Sequence, residues 1–316
     1  MRIIRDYQFV EPSERGATAV IGNFDGVHLG HQYVIDIARQ KAAELGAPLG
    51  VMTFEPHPRE YFAPKAPPFR LMNADTRAHR LEKLGIETLF ELSFNDTLSA
   101  LSPDEFAREV IVDGLGLTHV FVGADFHFGK DRAGTPEILE ALGKELGFGV
   151  TVAPLMSDDL GEVSSTAIRT ALTEGRPRDA ARMLGHWHRI DGEVIRGDQR
   201  GRDLGYPTAN MSIAGLHPPK FGVYAVEVEI LTGPHQGVYG GAASMGTRPM
   251  FGENLPNIES FIFDFKGDIY GEQLSVALIE YLRPGEVFDG LDALITEMDA
   301  DCVRARDILA KLTSRL

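Results

Sequence analysis

The sequence predicts an α/β chain in two parts: a parallel sheet covered by helices, then a small antiparallel β-barrel with a terminal helix. Three observations predict it. From Thr18 to about Leu184, short apolar runs alternate with amphipathic segments at βαβ spacing. After His186-Trp187-His188, helical periodicity gives way to short β-rich runs separated by Gly and Pro. Leu291–Leu312 then returns to a single helical pattern through Leu291, Ile295, Met298, Cys302, Ala305 and Leu309. At 316 residues the chain is long enough for two cores, here expected over 1–184 and 185–316.

Strands are expected at Thr18–Ile21, Leu49–Phe54, Thr88–Leu92, His119–Val122 and Val150–Pro154, and helices at Gln32–Leu45, Asp75–Leu84, Pro103–Val112 and Pro136–Leu146. The third helix has a clean start: Ser102 as cap, Pro103 at the first helical position, Glu105 placed for a capping box. In the second half, strands are expected at Ile190–Ile195, Val223–Ile230, Gly237–Ala243, Ser260–Phe265 and Leu274–Leu282, with Lys266-Gly267 as a tight hairpin turn.

Composition narrows the function. A net charge of −15 argues against nucleic acid or an anionic membrane as partner, since both need a summed positive field. Small anionic substrates stay open where arginines and helix ends concentrate positive potential. One cysteine, Cys302, excludes an intrachain disulfide framework and a cysteine-rich metal cluster, and fits a reducing compartment. MRIIRDYQFV lacks a signal-peptide core, and no apolar run approaches the ~20 residues of a membrane helix. The expected location is the cytoplasm; composition leaves a weak homo-oligomer open.

The stretch Ala19–His31, AVIGNFDGVHLGH, carries the most chemistry. An apolar strand passes through Asn23 and Asp25 to His28 and His31, where a helix begins. Unpaired N–H groups and the helix dipole collect anions there. Gly30 admits a phosphate, and two imidazoles can donate to it. Walker A and dinucleotide fingerprints are both absent. Two more clusters follow later strands. Gly123–Gly134 offers glycines, an aromatic wall and the charges of Lys130 and Arg132; Val163–Arg169 offers hydroxyls at a helix start. All three lie at one end of one sheet, where ligands of such sheets bind. In the second half, Gly197–Asn210 forms a loop suited to phosphates, and extended Thr208 and Asn210 would share a face able to reach Mg²⁺.

GNFDGVHLGH, TFEPHP (Thr53–Pro58), GADFHFGKDRAG and VSSTAIR together resemble the FAD synthetase module of bacterial bifunctional riboflavin kinase/FAD synthetases, a Rossmann-like HxGH nucleotidyltransferase. The second half resembles the riboflavin kinase signature in the expected order, so the likeness spans the chain. It implies riboflavin phosphorylation to FMN by MgATP, then adenylylation of FMN to FAD with release of pyrophosphate. ATP, riboflavin, FMN and FAD are the implied partners.

For the first half, the resemblance implies phosphate contact and transition-state stabilisation by His28 and His31. Asn23 and Asp25 would shape the adenylyl site; Ser165, Thr166 and Arg169 would hold the triphosphate from the other side. Asp125, Phe128 and Arg132 would surround nucleotide and flavin, with Phe54 facing the flavin. Leu98 stands where the family often has Phe. For the second half it implies Glu259 as base for the ribityl hydroxyl and Thr208 and Asn210 as magnesium and ATP ligands. Gly197, Gly201 and Arg202 would meet the kinase ATP, and Arg283 and Phe288 the flavin. Gly246-Thr247-Arg248-Pro249 resembles a turn beside that site, while Gly285, Val287 and Met250 depart from the family pattern. From the residues alone, transfer to another phosphorylated metabolite, activity in one half only, and flavin binding without turnover stay open.

Overall fold

The computed structural model describes residues 1–158, 161–196, 206–250 and 253–312. The chain divides into two compact units, Met1–Pro67 with Ala74–Ser164, and Pro68–Asn73 with Ser165–Leu316.

In the first unit, β1 (Arg2–Ile4), β2 (Thr18–Ile21), β3 (Leu49–Glu55), β4 (Thr88–Ser93), β5 (His119–Gly123) and β6 (Gly149–Ala153) form one sheet in the order β1-β4-β3-β2-β5-β6. Each described pairing is parallel. The central strands β2 to β5 read as near-continuous apolar runs because both faces are covered. The connecting helices are α1 (Leu29–Leu45), α2 (Pro58–Phe62), α3 (Ala74–Lys83), α4 (Asp96–Ala100), α5 (Pro103–Glu105) and α6 (Pro136–Leu146). α1 buries Val34, Ile35, Ala38 and Ala42, one stripe at helical spacing. The capping box at α5 forms as the sequence implies, with Glu105 N–H donating to Ser102 Oγ and Ser102 N–H to Glu105 Oε2. The chain then continues as a π-helix over Phe106–Gly114. Leu98 is packed in the core with Phe106 and Phe128. A short hairpin, β7 (Ser157–Asp158) and β8 (Gly161–Glu162), follows β6.

Strand order reverses between β2 and β5. β3 and β4 lie to one side of β2; β5 and β6 lie to the other. Connections leaving β2 and β5 therefore diverge and open a crevice beyond their carboxyl ends.

The second unit begins with α7 (Ser165–Thr173) and α8 (Pro177–Leu184). β9 (Arg189–Glu193), β10 (Thr208–Ser212), β11 (Gly222–Ile230), β12 (Gly237–Met250), β13 (Glu253–Ile262) and β14 (Gln273–Arg283) form an antiparallel sheet ordered β10-β13-β12-β11-β14-β9. Beyond β9, Ile195 pairs with Asn210, its N–H donating to the Asn210 carbonyl at 2.9 Å, which closes the sheet into a barrel. Inside lie Ala209, Met211, Tyr224, Val226, Met245, Ile258 and Leu278.

The expected hairpin at Lys266-Gly267 is not formed. β13 pairs with β10 and β12, while β14 pairs with β11 and β9, so residues 263–272 connect strands that are not neighbours. Buried Phe263 and Ile269 anchor that longer connection. A Lys-Gly dipeptide signals a turn without saying which strands it joins. β12 and β13 also extend further toward each other than expected, to Met250 and from Glu253.

The closing helix, α9 (Leu291–Leu312), packs Ala305 with Ala242 and Phe263 on the barrel's outer surface. Its seam departs from the apolar pattern at two places: Leu291 is exposed and Asp301 is buried.

Candidate active sites

The loop between β2 and α1 is held in a costly conformation. Phe24 and Val27 adopt positive φ (52° and 45°), which L side chains avoid, and both are fully buried. For a β-branched residue this costs on the order of 1–3 kcal/mol and survives only where neighbours over-determine the backbone. Several do. Val27 N–H donates to the Phe24 carbonyl at 3.2 Å, Gln32 Nε2 to the Val27 carbonyl at 2.8 Å, and Thr53 Oγ1 to the Asn23 carbonyl at 3.2 Å. Asp25 is buried in this loop and Asn23 is exposed.

The loop delivers His28 to the N-cap of α1. His28 Nδ1 accepts the His31 main-chain N–H at 3.4 Å, so the ring proton sits on Nε2, the nitrogen facing away from the cap. The His31 ring stacks on His28 with centroids 3.7 Å apart and rests against Phe24 at 4.9 Å. Burial, and then the adjacent His28 ring, hold the His31 imidazole well below its usual range, so it is neutral at pH 7. Its buried Nδ1 has no hydrogen-bond partner among the described residues. Two stacked imidazoles thus stand at a seventeen-residue helix's N-terminus, beside the crevice of the reversing strand order, where unpaired N–H groups and the helix dipole favour negative charge. A β-carbon on Gly30 would lie 3.1 Å from His28 Cε1 and Nδ1 and 3.5 Å from the Val163 carbonyl oxygen.

The second predicted cluster follows β5, on the other side of the reversal. Asp125 and Arg132 are exposed. Phe128 is only 6% exposed and stacks with half-buried Phe126 at 5.6 Å, backed by Phe106 at 5.6 Å. Phe128 and Gly134 exchange main-chain hydrogen bonds, and a β-carbon at Gly134 would come within 2.5 Å of the Phe128 ring.

Beyond the carboxyl ends of β3 and β4 the structure assembles an aromatic platform the sequence reading saw only in part. Phe54 packs edge-on against Phe94 (5.8 Å), which meets Tyr61 (5.2 Å) and Phe62 (5.7 Å); Phe62 is 68% exposed. Tyr61 donates to Asp96. Behind it, Arg77, 1% exposed, donates to Glu55 Oε2 at 2.8 Å and Glu91 Oε2 at 3.1 Å, and Arg5 Nε donates to Glu91 Oε1 at 3.1 Å. Apart from Phe54 and Glu55, which lie in the TFEPHP segment, none of these residues was named from sequence. The density of aromatics at Tyr61, Phe62 and Phe94 was the available signal.

In the second unit, Ser165 opens α7, Thr166 is exposed and Arg169 is half-buried. Arg169 Nε donates to the Phe69 carbonyl at 2.7 Å, and its Cζ lies 5.3 Å over the Phe69 ring.

The kinase-like residues meet on the barrel's outer face. β10 is extended, so Thr208 and Asn210 project to one side, with Thr208 Oγ1 and Asn210 Nδ2 3.4 Å apart. The register sets Asn210 opposite Glu259. Directly opposed residues share a face, so Glu259 stands beside both. Asn257 Nδ2 donates to Glu259 Oε1 at 3.3 Å. Tyr206 flanks this face, its ring 5.0 Å from Phe261 and its hydroxyl on Asp299 of α9. That hydrogen bond, with burial, pushes the Tyr206 phenol up to about 12. At the end of β14, Arg283 Nε and Nη2 donate to buried Asp301 at 3.1 and 2.8 Å, and Arg283 Cζ lies 5.6 Å from the Phe288 ring. The predicted ligands Gly197, Gly201 and Arg202 lie outside the described residues.

A magnesium ion suits this donor set. A threonine hydroxyl and an asparagine amide are hard, neutral oxygen donors; such a site leaves coordination positions for water and phosphate. Among the described residues no group of three or more His, Cys, Asp or Glu forms a dedicated metal cage.

Comparisons with known proteins fit this geometry. Residues 10–167 match the family model for FAD synthetase and residues 184–309 that for riboflavin kinase. Bifunctional riboflavin kinase/FMN adenylyltransferases from Pseudomonas fluorescens and Bacillus subtilis are 40% and 35% identical, covering 100% and 95% of both chains. A crystal structure described as a macrolide-efflux protein from Streptococcus pneumoniae superposes with a TM-score of 0.82 at 32% identity, covering 95% of this chain and 96% of that one. Among the described residues no helix is long and apolar enough to cross a membrane. With a family model matched in each half and relatives matched end to end, the chain belongs to the bifunctional riboflavin kinase/FAD synthetase family.

Proposed function

We propose that the barrel unit phosphorylates riboflavin with ATP and that the α/β unit's crevice then adenylylates the resulting FMN. In the first step Glu259 takes the proton of the ribityl hydroxyl as its oxygen attacks the γ-phosphorus of ATP, and ADP leaves. Thr208 and Asn210 would hold magnesium, which would supply neutralisation of charge on the phosphates when bound. Arg283, fixed by Asp301, and Phe288 border the flavin.

In the second step an FMN phosphate oxygen attacks the α-phosphorus of ATP in line, and the α–β bridging oxygen leaves with pyrophosphate. No covalent enzyme intermediate forms. His28 donates from Nε2 to a phosphate oxygen, and the α1 N-terminus adds its dipole. His31, neutral, donates without the repulsion two imidazolium rings would suffer. Asn23, Asp25, Asp125 and Arg132 border the nucleotide, while Ser165, Thr166 and Arg169 supply hydroxyls, helix N–H groups and a guanidinium to its phosphates. The aromatic platform of Phe54, Phe62 and Phe94 gives the isoalloxazine an apolar stacking surface. The enzyme is expected to work in the cytoplasm with Mg²⁺-ATP.

The observation that carries the kinase assignment is the register that sets Glu259 across from Asn210. The test is chromatography of products from riboflavin, ATP and Mg²⁺. His28→Ala is expected to accumulate FMN and form no FAD. Glu259→Ala is expected to form FAD only when FMN is supplied. Loss of both activities in either folded variant would refute the division of labour.

A further inference from the structure

The loop between β10 and β11 joins the kinase strand to helix α7, and one histidine makes the joint. His217 main-chain N–H donates to the Arg70 carbonyl at 2.8 Å, and neighbouring Leu216 forms a parallel bridge with Arg70. The His217 ring Nε2 lies 3.2 Å from the Arg169 carbonyl oxygen and 3.0 Å from Thr173 Oγ1. Thr173 Oγ1 also donates to the Arg169 carbonyl, at 2.9 Å.

The Arg169 side chain rests on the segment that the His217 main chain holds. Its Nε donates to the Phe69 carbonyl and its guanidinium covers the Phe69 ring. His217 thus secures Arg169 twice: the main chain through Nε2, the guanidinium through Phe69-Arg70. The same loop fastens α7 again at Lys220, whose N–H donates to the Leu172 carbonyl at 2.9 Å and whose Nζ lies 4.6 Å over the Tyr281 ring.

An arginine that meets a polyphosphate with a planar fork gains most when its orientation is set before the nucleotide arrives. We propose that His217 is a positioning residue for Arg169 in adenylyl transfer, and that it ties Arg169 to the strand carrying Thr208 and Asn210. The inference rests on the reading of Arg169 as a phosphate ligand.

The test uses the full-length protein and measures FAD formation at saturating FMN with ATP varied. His217→Ala is expected to raise the KM for ATP about tenfold with kcat within about twofold, the loss of one hydrogen bond to a group that orients a ligand. His217→Gln, whose amide N–H can replace Nε2–H, is expected to restore most of it. Arg169→Ala should raise the KM at least as far, and the double variant should match Arg169→Ala alone. Riboflavin phosphorylation in the same preparations should stay within about twofold of the wild type.

If His217→Ala does not fold, Thr173→Val, which removes the shared hydroxyl, carries the test and should raise the KM severalfold. An unchanged KM in Arg169→Ala refutes the assignment of Arg169. An unchanged KM in His217→Ala beside a raised one in Arg169→Ala refutes the positioning role alone. Parallel loss of kcat, KM and thermal stability without rescue by glutamine reduces His217 to a structural residue and overturns the proposal.

Discussion

Replacing Gly30 with alanine tests the anion site with the smallest change available. Gly30 lies in the first turn of α1 with no positive φ, so alanine can adopt its backbone conformation. The new methyl would lie 3.1 Å from the His28 ring, which must give by a few tenths of an ångström. His28 cannot give freely, because its Nδ1 already holds the His31 N–H at a long 3.4 Å and its ring is stacked on His31 at 3.7 Å. A 1 Å displacement of a group that positions a reacting phosphate costs up to about 100-fold, so a shift of a few tenths predicts a fall of about tenfold in kcat for FAD formation. Stability should change by less than about 1 kcal/mol, since a weakened cap is offset by alanine's better helix propensity. The assay is pyrophosphate release from FMN and ATP, with riboflavin phosphorylation by the same sample as internal control. Wild-type FAD formation in Gly30→Ala would refute the placement of His28 at the transferring phosphate. An equal fall in the kinase reaction would show the effect to be global.

Two further predictions concern the barrel unit. Asp301→Ala should lower stability by about 3 kcal/mol and raise the KM for riboflavin, because Arg283 stays mostly buried after losing its principal partner; an unchanged melting temperature would contradict this. Burial, and then the nearby His186 and His217, lower His188 to about 3. The unfolded chain, titrating near 6.5, takes up the proton first as pH falls. His188 therefore contributes stability in full above about pH 6.5 and loses it progressively down to about pH 3, roughly 2 kcal/mol being gone at pH 5. His188→Leu should flatten the pH dependence of chemical denaturation between pH 7 and 5 by that amount; an unaltered slope would count against it.

Elements built from local rules were legible in the chain itself. β2, α6 and α9 fall at the residues that their apolar periodicity and caps mark. The Ser102 capping box forms because its partners are three residues apart. The loop of Asn23–His31 announced itself through chemistry carried by one continuous segment. Tertiary structure decided what depends on residues distant in sequence. It placed the β2/β5 reversal beside His28 and set Glu259 opposite Asn210 across a sheet. It gathered Phe62 with Phe94 into one platform and denied Lys266-Gly267 its hairpin by giving β13 and β14 other neighbours. The reason lies in range. Caps and periodicity act within a turn or two of chain, whereas strand order, register and the burial of a charge such as Asp301 follow from which surfaces can be removed from water together.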